Sequence, residues 1–307
     1  MRKDDIIVSV IILTFNHQNY IRRAIDSILK QQANFRYEIL IGDDASEDLT
    51  PKILEEYKQK YSDVIRLELR HKNIGASGNF VDLIKRARGR YIASCEGDDF
   101  WTDKNKLQRQ VDFLEQNLCF IGCTHDISIV DTEGKPLNDI KLGWIKDKPV
   151  FKLRDFKGIY LPGHPVSMVY RNVLTSNSQA CELIMQTDRN IADRTIAMLV
   201  LAKGDIARIN YNMASYTYSR RNERNNLTAI KFSNDPYGKL LNMTITNRLE
   251  SYARNVLGIH LNFDMYRVKL VLKAFVAGIL MLSPMYFDCT IKMIKSWFLY
   301  RTERKAR

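Results

Sequence analysis

Four short apolar runs alternate with amphipathic segments over the first hundred residues, and this alternation limits the fold more than any other feature of the sequence. Each run is rich in Ile, Val, Leu or Tyr and has the length of one strand. The runs are Ile7–Phe15, Glu38–Ile41, Val64–Leu69 and Tyr91–Ser94. Between them, apolar residues recur at helical spacing, as in Ile21, Ala24, Ile25, Ile28 and Leu29. Thr50-Pro51 predicts the start of another helix, with Thr50 as its N-cap and Pro51 at the first helical position. Strands that alternate with helices of this length form βαβ units, so we predict an α/β fold with a doubly wound, mainly parallel sheet.

Polar and acidic residues follow the predicted strands at the point where each strand ends. They are Thr14 and Asn16 after the first strand, Asp43 and Asp44 after the second, Asn79 in the segment after the third, and Glu96, Asp98 and Asp99 after the fourth. In an open parallel sheet, ligands bind outside the carboxyl ends of the strands. These side chains are therefore the candidate ligand-binding residues.

The cluster after the fourth strand predicts a divalent metal. Glu96, Asp98 and Asp99 are three acids within four residues, and such a group directly after an apolar strand is hard to tolerate without a cation. Carboxylate oxygens suit Mg²⁺ or Mn²⁺, and the metal would neutralise a diphosphate that the acids alone would repel. A solvated acidic turn is the alternative for this cluster, and a helix-capping turn is the alternative for Asp43 and Asp44.

Several common classes of protein do not fit the sequence. No strand is followed by a GxGxxG segment and no GxxxxGK[ST] segment occurs, which argues against a dinucleotide fold and excludes a P-loop. The five cysteines form no CxxC pair, so we expect no zinc finger or disulfide scaffold and infer a reducing, cytoplasmic location. The first apolar run leads into polar residues 16–19, which favours a buried strand over a signal peptide. Basic and aromatic residues do not interleave near the sheet, so nucleic acid is not an expected partner.

The segments VSVIILTFN, EILIGDDASED, NIGASGN and GRYIASCEGDDFW occur in this order and resemble the successive motifs of the family 2 glycosyltransferases, which have the GT-A fold. The resemblance covers about residues 7–220. It implies an inverting enzyme that uses a nucleotide-diphosphate sugar and a divalent metal, Mg²⁺ or Mn²⁺. The acceptor would be a saccharide or a lipid-linked saccharide.

The same resemblance implies roles for the residues at the strand ends. Thr14 and Asn16 would line the nucleotide pocket, Asp44 with Asp43 beside it would face the base, and Asn79 would lie near the nucleoside. Glu96-Gly97-Asp98 occupies the place of the family's DxD element. Asp98 would be the main metal contact, with Asp99 adjacent to it.

The resemblance also requires a catalytic base in the acceptor half of the domain. Asp193 precedes a predicted helix, a Gly204 turn and a strand at 206–209, which matches the family's layout, although Ala192 stands where many relatives have Glu or Gly. Asp193 is therefore the candidate base, with a helix N-cap as the alternative and Asp188 as the reserve. Tyr216-Thr217 stands where relatives often carry Tyr-Arg near the donor phosphates. Arg220 or Arg221 is the candidate replacement, with a solvated basic loop as the alternative. His164, in a turn, is a candidate contact for the donor sugar, with a structural role as the alternative.

The C-terminal region differs in character from the rest of the chain. More than half of the net charge of +12 lies in residues 251–307, which contain ten Lys or Arg and three Asp or Glu. Basic and aromatic residues flank an apolar segment, Ala274–Phe287, that is shorter than the roughly 20 residues needed to span a bilayer. We therefore expect residues 265–307 to bind an anionic membrane surface. A helical hairpin packed on the catalytic domain or against the partner of a homodimer is the alternative.

Together these observations predict a nucleotide-sugar-binding half at residues 1–101, an acceptor-binding and catalytic half at 102–225 and a helical, basic extension at 226–307. The predicted function is glycosyl transfer in surface polysaccharide assembly, with the protein peripheral on the inner face of the cell membrane. A nucleotidyltransferase that makes a nucleotide sugar and a non-catalytic nucleotide-sugar-binding module are the alternatives. The first would be expected to carry a Gly-rich basic loop after the first strand, where this chain has Thr14-Phe-Asn-His-Gln-Asn19.

Overall fold

The strands of the described chain form one mixed sheet in a computed structural model that describes residues 5–218 and 236–306. The strands are β1 Ile6–Thr14, β2 Arg36–Asp43, β3 Ile65–Leu69, β4 Tyr91–Glu96, β5 Phe100–Trp101, β6 Phe120–Val130, β7 Val150–Phe151, β8 Val169–Arg171 and β9 Asp205–Thr217. The helices are α1 Ile21–Leu29, α2 Thr50–Lys60, α3 Gly75–Arg86, α4 Lys106–Gln116, α5 Ser178–Thr187, α6 Asp193–Leu201, α7 Pro236–Asn255, α8 Asp264–Met281 and α9 Pro284–Ala306.

The order of the strands creates a switch point beside β1. The sheet runs β3-β2-β1-β4-β8-β6-β9-β5, and β7 pairs with β9. The pairs β1–β2, β2–β3, β1–β4 and β6–β9 are parallel, whereas each antiparallel pair joins only two or three residue pairs. The predicted α/β architecture is thus confirmed, as is the predicted order of strands and helices along the first hundred residues. Because the chain winds to one side of β1 through β2 and to the other side through β4, a crevice is expected at their carboxyl ends.

The core explains why the first four strands read as continuous apolar runs. Both faces of β1 are covered, and Val8, Val10 and Ile12 are fully buried. Helix α1 contributes Ile21, Ala24, Ile25 and Ile28 to the same core, which is the stripe that its spacing predicts. A strand that is buried on both faces loses the alternation of polar and apolar residues, so the length of the runs was the usable signal.

Two local predictions were wrong. Thr50 was predicted as the N-cap of its helix, but α2 begins at Thr50 itself, with Leu49 in the cap position. The Thr50 hydroxyl instead accepts a hydrogen bond from the His17 backbone N–H at 2.9 Å. The strand predicted at 206–209 is much longer, since β9 continues to Thr217. The pairing of β9 with β6 shifts register near Asp126, which interrupts the alternation of apolar and polar residues along β9. A prediction based on strict alternation therefore ends the strand too early.

The described residues form two compact units. The first contains the sheet and comprises the chain up to Phe156 together with Tyr160–Thr217; the second comprises Lys157–Ile159 and the chain from Tyr218 onward. The predicted domain boundary at 225/226 lies outside the described residues, as do Arg220 and Arg221. In the second unit, α8 and α9 are separated at Leu282, which has a left-handed backbone, and Pro284 begins α9. None of the helices in the described part of the chain combines the length and the apolar character that crossing a membrane requires.

Candidate active site

The registers of β1 with its two neighbours bring the predicted site residues to one edge of the sheet. Thr14 lies opposite Asp43 on β2, and Leu13 lies opposite Glu96 on β4. The loops that follow these strands are joined by backbone bonds from Asp44 N to Thr14 O at 3.0 Å and from Gly97 N to Leu13 O at 2.9 Å. The residues that the sequence singled out therefore lie together at the edge of the sheet where the crevice beside β1 is expected.

The Asn16 side chain closes the first loop onto the second. Asn16 has a positive φ of 55°, a conformation that Asn tolerates better than most residues. Its Oδ1 accepts a hydrogen bond from Glu47 N at 2.9 Å, and its own N–H donates to Ser46 Oγ at 2.8 Å. Ser46 donates in turn to Asp43 through both its hydroxyl and its N–H, at 2.5 and 2.9 Å. Burial, the largest effect, raises the pKa of Asp43 although these two bonds oppose it.

Asp44 and Asn79 each have two partners inside the protein. The Asp44 carboxylate accepts hydrogen bonds from Ile74 N at 2.7 Å and Gly75 N at 2.8 Å, so it caps the start of α3. The Asn79 amide is buried, donates to Gly42 O at 2.7 Å and accepts from Arg70 Nε at 3.1 Å. Both side chains hold the segments around the ends of β2 and β3 in place, and their contact with a nucleotide stays a prediction.

The three acids after β4 converge as the metal prediction requires. Carboxylate oxygens of Glu96, Asp98 and Asp99 lie within 4.8 Å of one another. Asp98 Oδ1 and Asp99 Oδ2 are buried, and neither has a hydrogen-bond partner among the described residues. Two buried carboxylate oxygens without a donor are costly, and hard divalent cations such as Mg²⁺ and Mn²⁺ favour this type of ligand. The residues present therefore fit a divalent cation.

The electrostatics of the cluster agree with its geometry. Reduced solvation, followed by the negative charges of Asp98 and Asp193, raises the pKa of Glu96 above its usual range. Burial, followed by the charges of Asp98 and Glu96, raises the pKa of Asp99 well above its usual range. A bound cation would oppose both shifts, because it stabilises the ionised carboxylates.

Asp193 lies close enough to this cluster for its charge to act on Glu96. It is the first residue of α6, its Oδ1 accepts a hydrogen bond from Arg194 N at 2.8 Å, and burial raises its pKa. The loop before it is fastened to α3, because Ser77 N donates to Arg189 O at 3.0 Å and Ser77 Oγ donates to Asp188 O at 2.5 Å. The sheet edge and α6 are thus brought together through the α3 terminus that Asp44 caps.

The end of β9 is bound to the acidic turn. Thr217 N donates to Asp99 Oδ1 at 2.9 Å, and Thr217 Oγ1 donates to the Asp98 carbonyl oxygen at 2.6 Å.

His164 is buried, with Nδ1 3.7 Å from Asp99 Oδ2 and its ring centroid 4.2 Å from that of Tyr216. Burial lowers the pKa of His164 to about 3, so the ring is neutral at physiological pH. His164 therefore lies at the acidic cluster and does not act as its counter-charge.

Two residues that lie at the site, Arg23 and His17, carry no distinctive signal in the sequence. Arg23, on α1, places its guanidinium 3.4 Å from the Asp98 carbonyl oxygen and 3.1 Å from Thr217 Oγ1, over the Phe100 ring. In sequence it is one of two adjacent arginines on the polar side of a helix. His17 Nδ1 and Thr14 Oγ1 are buried without a hydrogen-bond partner among the described residues. Both atoms lie within 3 Å of the point where a Cβ on Gly97 would be, so they face the same turn as the acids.

The sequence matches one family model and several curated proteins. The family model for glycosyl transferase family 2 matches residues 9–174. Rv1520 of Mycobacterium tuberculosis H37Rv, described as an uncharacterized protein, is 39% identical over 144 residues, which are 47% of this chain and 42% of that protein. TuaG of Bacillus subtilis 168, assigned to teichuronic acid biosynthesis as a glycosyltransferase, is 34% identical over 132 residues, or 43% of this chain and 51% of TuaG. The chain thus spans about half the length of the curated relatives it matches.

Solved structures resemble the whole described fold. Residues 1–349 of Staphylococcus aureus TarS in complex with UDP superpose with a TM-score of 0.55 at 18% identity, over 98% of this chain and 92% of that chain. The complex of the same protein with UDP-GlcNAc gives a TM-score of 0.53 at 17% identity, over 98% and 93%. At this level of identity the likeness establishes the fold, which is of the GT-A type.

Proposed function

Because the chain belongs to glycosyl transferase family 2, whose model matches more than half of its residues, we propose that it is an inverting glycosyltransferase. It transfers a sugar from a nucleotide-diphosphate sugar to an acceptor hydroxyl. One observation carries the proposal: the oxygens of Glu96, Asp98 and Asp99 converge at the switch point of the sheet, and the Asp193 carboxylate is close enough for its charge to act on Glu96. A departing diphosphate requires a nearby cation that neutralises its charge. Removal of the acceptor proton requires a nearby carboxylate that binds protons tightly enough to act as a base.

In this proposal the donor nucleotide occupies the crevice beside β1. Thr14 and Asn16 line the nucleotide pocket, and Thr14 Oγ1 is a buried polar atom without a partner among the described residues. Asp43, Asp44 and Asn79 keep the surrounding loops in position through the hydrogen bonds described above. Asp98 and Asp99, with Glu96, would hold a divalent cation, which neutralises charge on the departing diphosphate.

Asp193 is proposed as the general base. It accepts the proton of the acceptor hydroxyl while that oxygen forms a bond to the anomeric carbon. The bond from this carbon to the diphosphate oxygen breaks, and the nucleoside diphosphate leaves with the electron pair. A single displacement of this kind inverts the anomeric configuration. The raised pKa of Asp193 suits a base, because a carboxylate that binds protons more tightly is a stronger acceptor.

The proposed biological setting is the assembly of surface polysaccharide at the inner face of the cell membrane. TuaG supports this setting through the pathway in its name, and the UDP-GlcNAc complex of TarS makes an N-acetylhexosaminyl donor the first to test beside hexosyl donors. The acceptor would be a saccharide or a lipid-linked saccharide, and residues 265–307 would hold the enzyme at the membrane, alone or as a homodimer. Residues 1–101 and 102–225 would supply the donor and acceptor halves of the site.

A panel of nucleotides and nucleotide sugars, each with Mn²⁺ or with EDTA, tests the proposal. We expect one nucleotide diphosphate and its sugar to raise the melting temperature only when Mn²⁺ is present, and that sugar nucleotide to release free nucleoside diphosphate on incubation. Release of pyrophosphate from a nucleoside triphosphate and a sugar phosphate would contradict the proposal and indicate a nucleotidyltransferase. Stabilisation without any turnover in the presence of saccharide acceptors would indicate a binding module.

A further inference from the structure

The turn between α8 and α9 exposes large apolar side chains where a turn in water would carry small or polar ones. Leu282 is 86% exposed and Leu280 78% exposed, and Met281, Pro284 and Met285 beside them are exposed as well. Leu282 also has a φ of +47°, at a position where helices usually end with Gly or Asn. A leucine is unfavourable at this position for two reasons: the positive φ strains its backbone, and its apolar side chain is exposed to water. The turn is therefore poorly suited to remain in water.

The outer faces of both helices continue this apolar surface. The inner side of α8 packs through Leu270 and Ala274, while the opposite side exposes Leu272, Phe275, Val276 and Ile279. Helix α9 exposes Ile291, Ile294 and Phe298, which share one face of the helix. The Phe275 and Phe287 rings meet edge to face at 6.0 Å, so the two faces join. We call this set of residues, with the turn at 280–285, the hairpin surface.

Basic side chains border the hairpin surface. Lys269 and Lys273 on α8 and Lys292 and Lys295 on α9 are all exposed. The single acid with a described side chain between Met265 and Arg304 is Asp288, which pairs with Lys292 at 2.7 Å. Exposed leucines and phenylalanines bordered by lysines are the composition of helices that lie at a membrane interface.

We propose that the hairpin surface binds an anionic lipid bilayer, with the 280–285 turn inserted at the boundary of headgroups and acyl chains and the four lysines at the level of the lipid phosphates. The inference rests on the proposed membrane setting and identifies the segment that enters the bilayer. Over their described residues, neither α8 nor α9 combines the length and apolar character needed to span a bilayer, which agrees with shallow insertion. A second copy of the chain is a poorer occupant, because a two-fold interface through this surface would bring both sets of lysines together.

The insertion of the turn can be tested without disturbing the fold. The variant Leu280→Glu/Leu282→Asn changes two exposed side chains, and Asn is more favourable than Leu at a positive φ. We expect it to keep the wild-type melting temperature and to lower the partition coefficient for vesicles of phosphatidylcholine with phosphatidylglycerol by about tenfold or more. Leu118→Glu is the matched control, since Leu118 is 74% exposed on the other unit, and it should bind vesicles as the wild type does.

The role of charge is tested separately. Replacing Lys269, Lys273, Lys292 and Lys295 by Gln should weaken binding to the anionic vesicles, by up to about fivefold for each lysine near the surface. The control replaces by Gln four exposed lysines outside the hairpin surface, which are Lys52, Lys60, Lys72 and Lys85. It changes the net charge by the same amount as the first quadruple variant and should leave vesicle binding nearly unchanged. Equal loss in both quadruple variants would overturn the proposal, since it would mean that only the total charge matters.

Two further outcomes would also contradict it. Unchanged vesicle binding of the Leu280→Glu/Leu282→Asn variant would show that the turn does not insert. Absence of vesicle binding by the wild type, with a dimer that this variant dissociates in analytical ultracentrifugation, would make a second copy the occupant. Thermal shifts with UDP and Mn²⁺ on the same preparations report the nucleotide site alone, so a failure of the membrane proposal is distinguished from a failure of the proposed sugar transfer.

Discussion

Asp98 carries the first prediction at the scale of single residues. Its Oδ1 atom is buried without a partner among the described residues and lies with the oxygens of Glu96 and Asp99. Removing this carboxylate in Asp98→Ala should weaken Mn²⁺ binding and metal-dependent nucleotide binding by about tenfold or more, because a hard cation loses an oxygen ligand. Titration of Mn²⁺ followed by electron paramagnetic resonance checks it. Asp63→Ala, an exposed acid on the same unit, is the control, and equal Mn²⁺ affinity in both variants would remove Asp98 from the metal site.

Asp193 carries the second prediction. Asp193→Asn should leave nucleotide binding intact and reduce turnover by about 10²- to 10⁴-fold, the usual contribution of a general base. Because burial raises the pKa of Asp193, the base is protonated and lost at a higher pH than an ordinary aspartate, so wild-type kcat should fall as the pH drops through that raised pKa. The residual activity of the variant should lack this acidic limb. Asp112→Asn, an exposed acid-to-amide change on α4, should keep the wild-type pH profile, and a profile that survives in Asp193→Asn would assign the base to another residue.

Residues of the site differ in how far the sequence could identify them. The convergence of Asp98 and Asp99 with Glu96 could be predicted, because three acids directly after a buried strand are hard to tolerate without a cation, and their binding of a metal stays a prediction. Arg23 could not, since an arginine on the polar side of a helix looks the same whether it meets solvent or the Thr217 hydroxyl. Asp44 was predicted as a ligand contact, with a capping turn as the alternative. The structure shows the Asp44 carboxylate accepting hydrogen bonds from two backbone N–H groups at the start of α3. This role depends on where the chain that follows β3 begins that helix.

At the scale of elements, the turn between β4 and β5 depends on the absence of a side chain at Gly97. A Cβ there would lie 2.5 Å from His17 Nδ1 and 2.8 Å from Thr14 Oγ1. Gly97→Ala should therefore displace the turn that carries the acids, lower the free energy of unfolding by about 1–3 kcal/mol and weaken Mn²⁺ binding. Gly143→Ala is the control, because nothing lies within 4 Å of a Cβ at that position. Urea unfolding and Mn²⁺ titration of both variants measure the difference, and equal stability would mean that the turn adapts without cost.

Within the second unit, a buried ion pair fastens α7 to α8. Arg267 is fully buried and donates to Glu250 at 2.8 Å and to Asp264 at 3.1 Å. Arg267→Met should lower the free energy of unfolding by about 3–5 kcal/mol, because it leaves the Glu250 carboxylate buried with weaker compensation. Lys292→Met, in a pair exposed on both sides, should change it by less than about 1 kcal/mol. The double variant Glu250→Gln/Arg267→Met should recover part of the loss in urea unfolding; no recovery would show that Arg267 stabilises through packing alone.

The elements also show where sequence patterns reach their limit. Helix α1 and strand β1 could be predicted because each has a single unbroken pattern set by burial. The antiparallel strand β8 and the two-residue strands β5 and β7 could not, since segments of two or three residues carry no periodicity. These short strands matter for the site, because β5 pairs Phe100 with Ser215 and so holds the end of β9 beside the acids.

At the scale of the whole molecule, the position of the site could be predicted although its full set of residues could not. The alternation of strands and helices places the polar strand ends, with the acids, at one edge of the sheet. The strand order that sets the switch point beside β1 is given by the structure alone. The arrival of Asp193 depends on a loop that Ser77 holds by contacts more than one hundred residues apart in sequence. Contacts of this kind leave no local pattern, which is why only the resemblance to a family made Asp193 the candidate base.

The charge of the molecule yields the last prediction. The net charge is +12, yet Glu96, Asp98 and Asp99 form an acidic site that repels a diphosphate. A divalent cation would remove this repulsion, so Mn²⁺ and UDP, or whichever diphosphate the panel identifies, should each bind more tightly in the presence of the other. Thermodynamic linkage requires the same factor in both directions, and a factor of about 5–150 is typical of such coupling. Calorimetric titration in both orders measures it. The same nucleotide affinity in EDTA and in Mn²⁺ would contradict a shared site, whereas loss of the coupling in Asp98→Ala with retention in Asp63→Ala would locate it at the turn after β4.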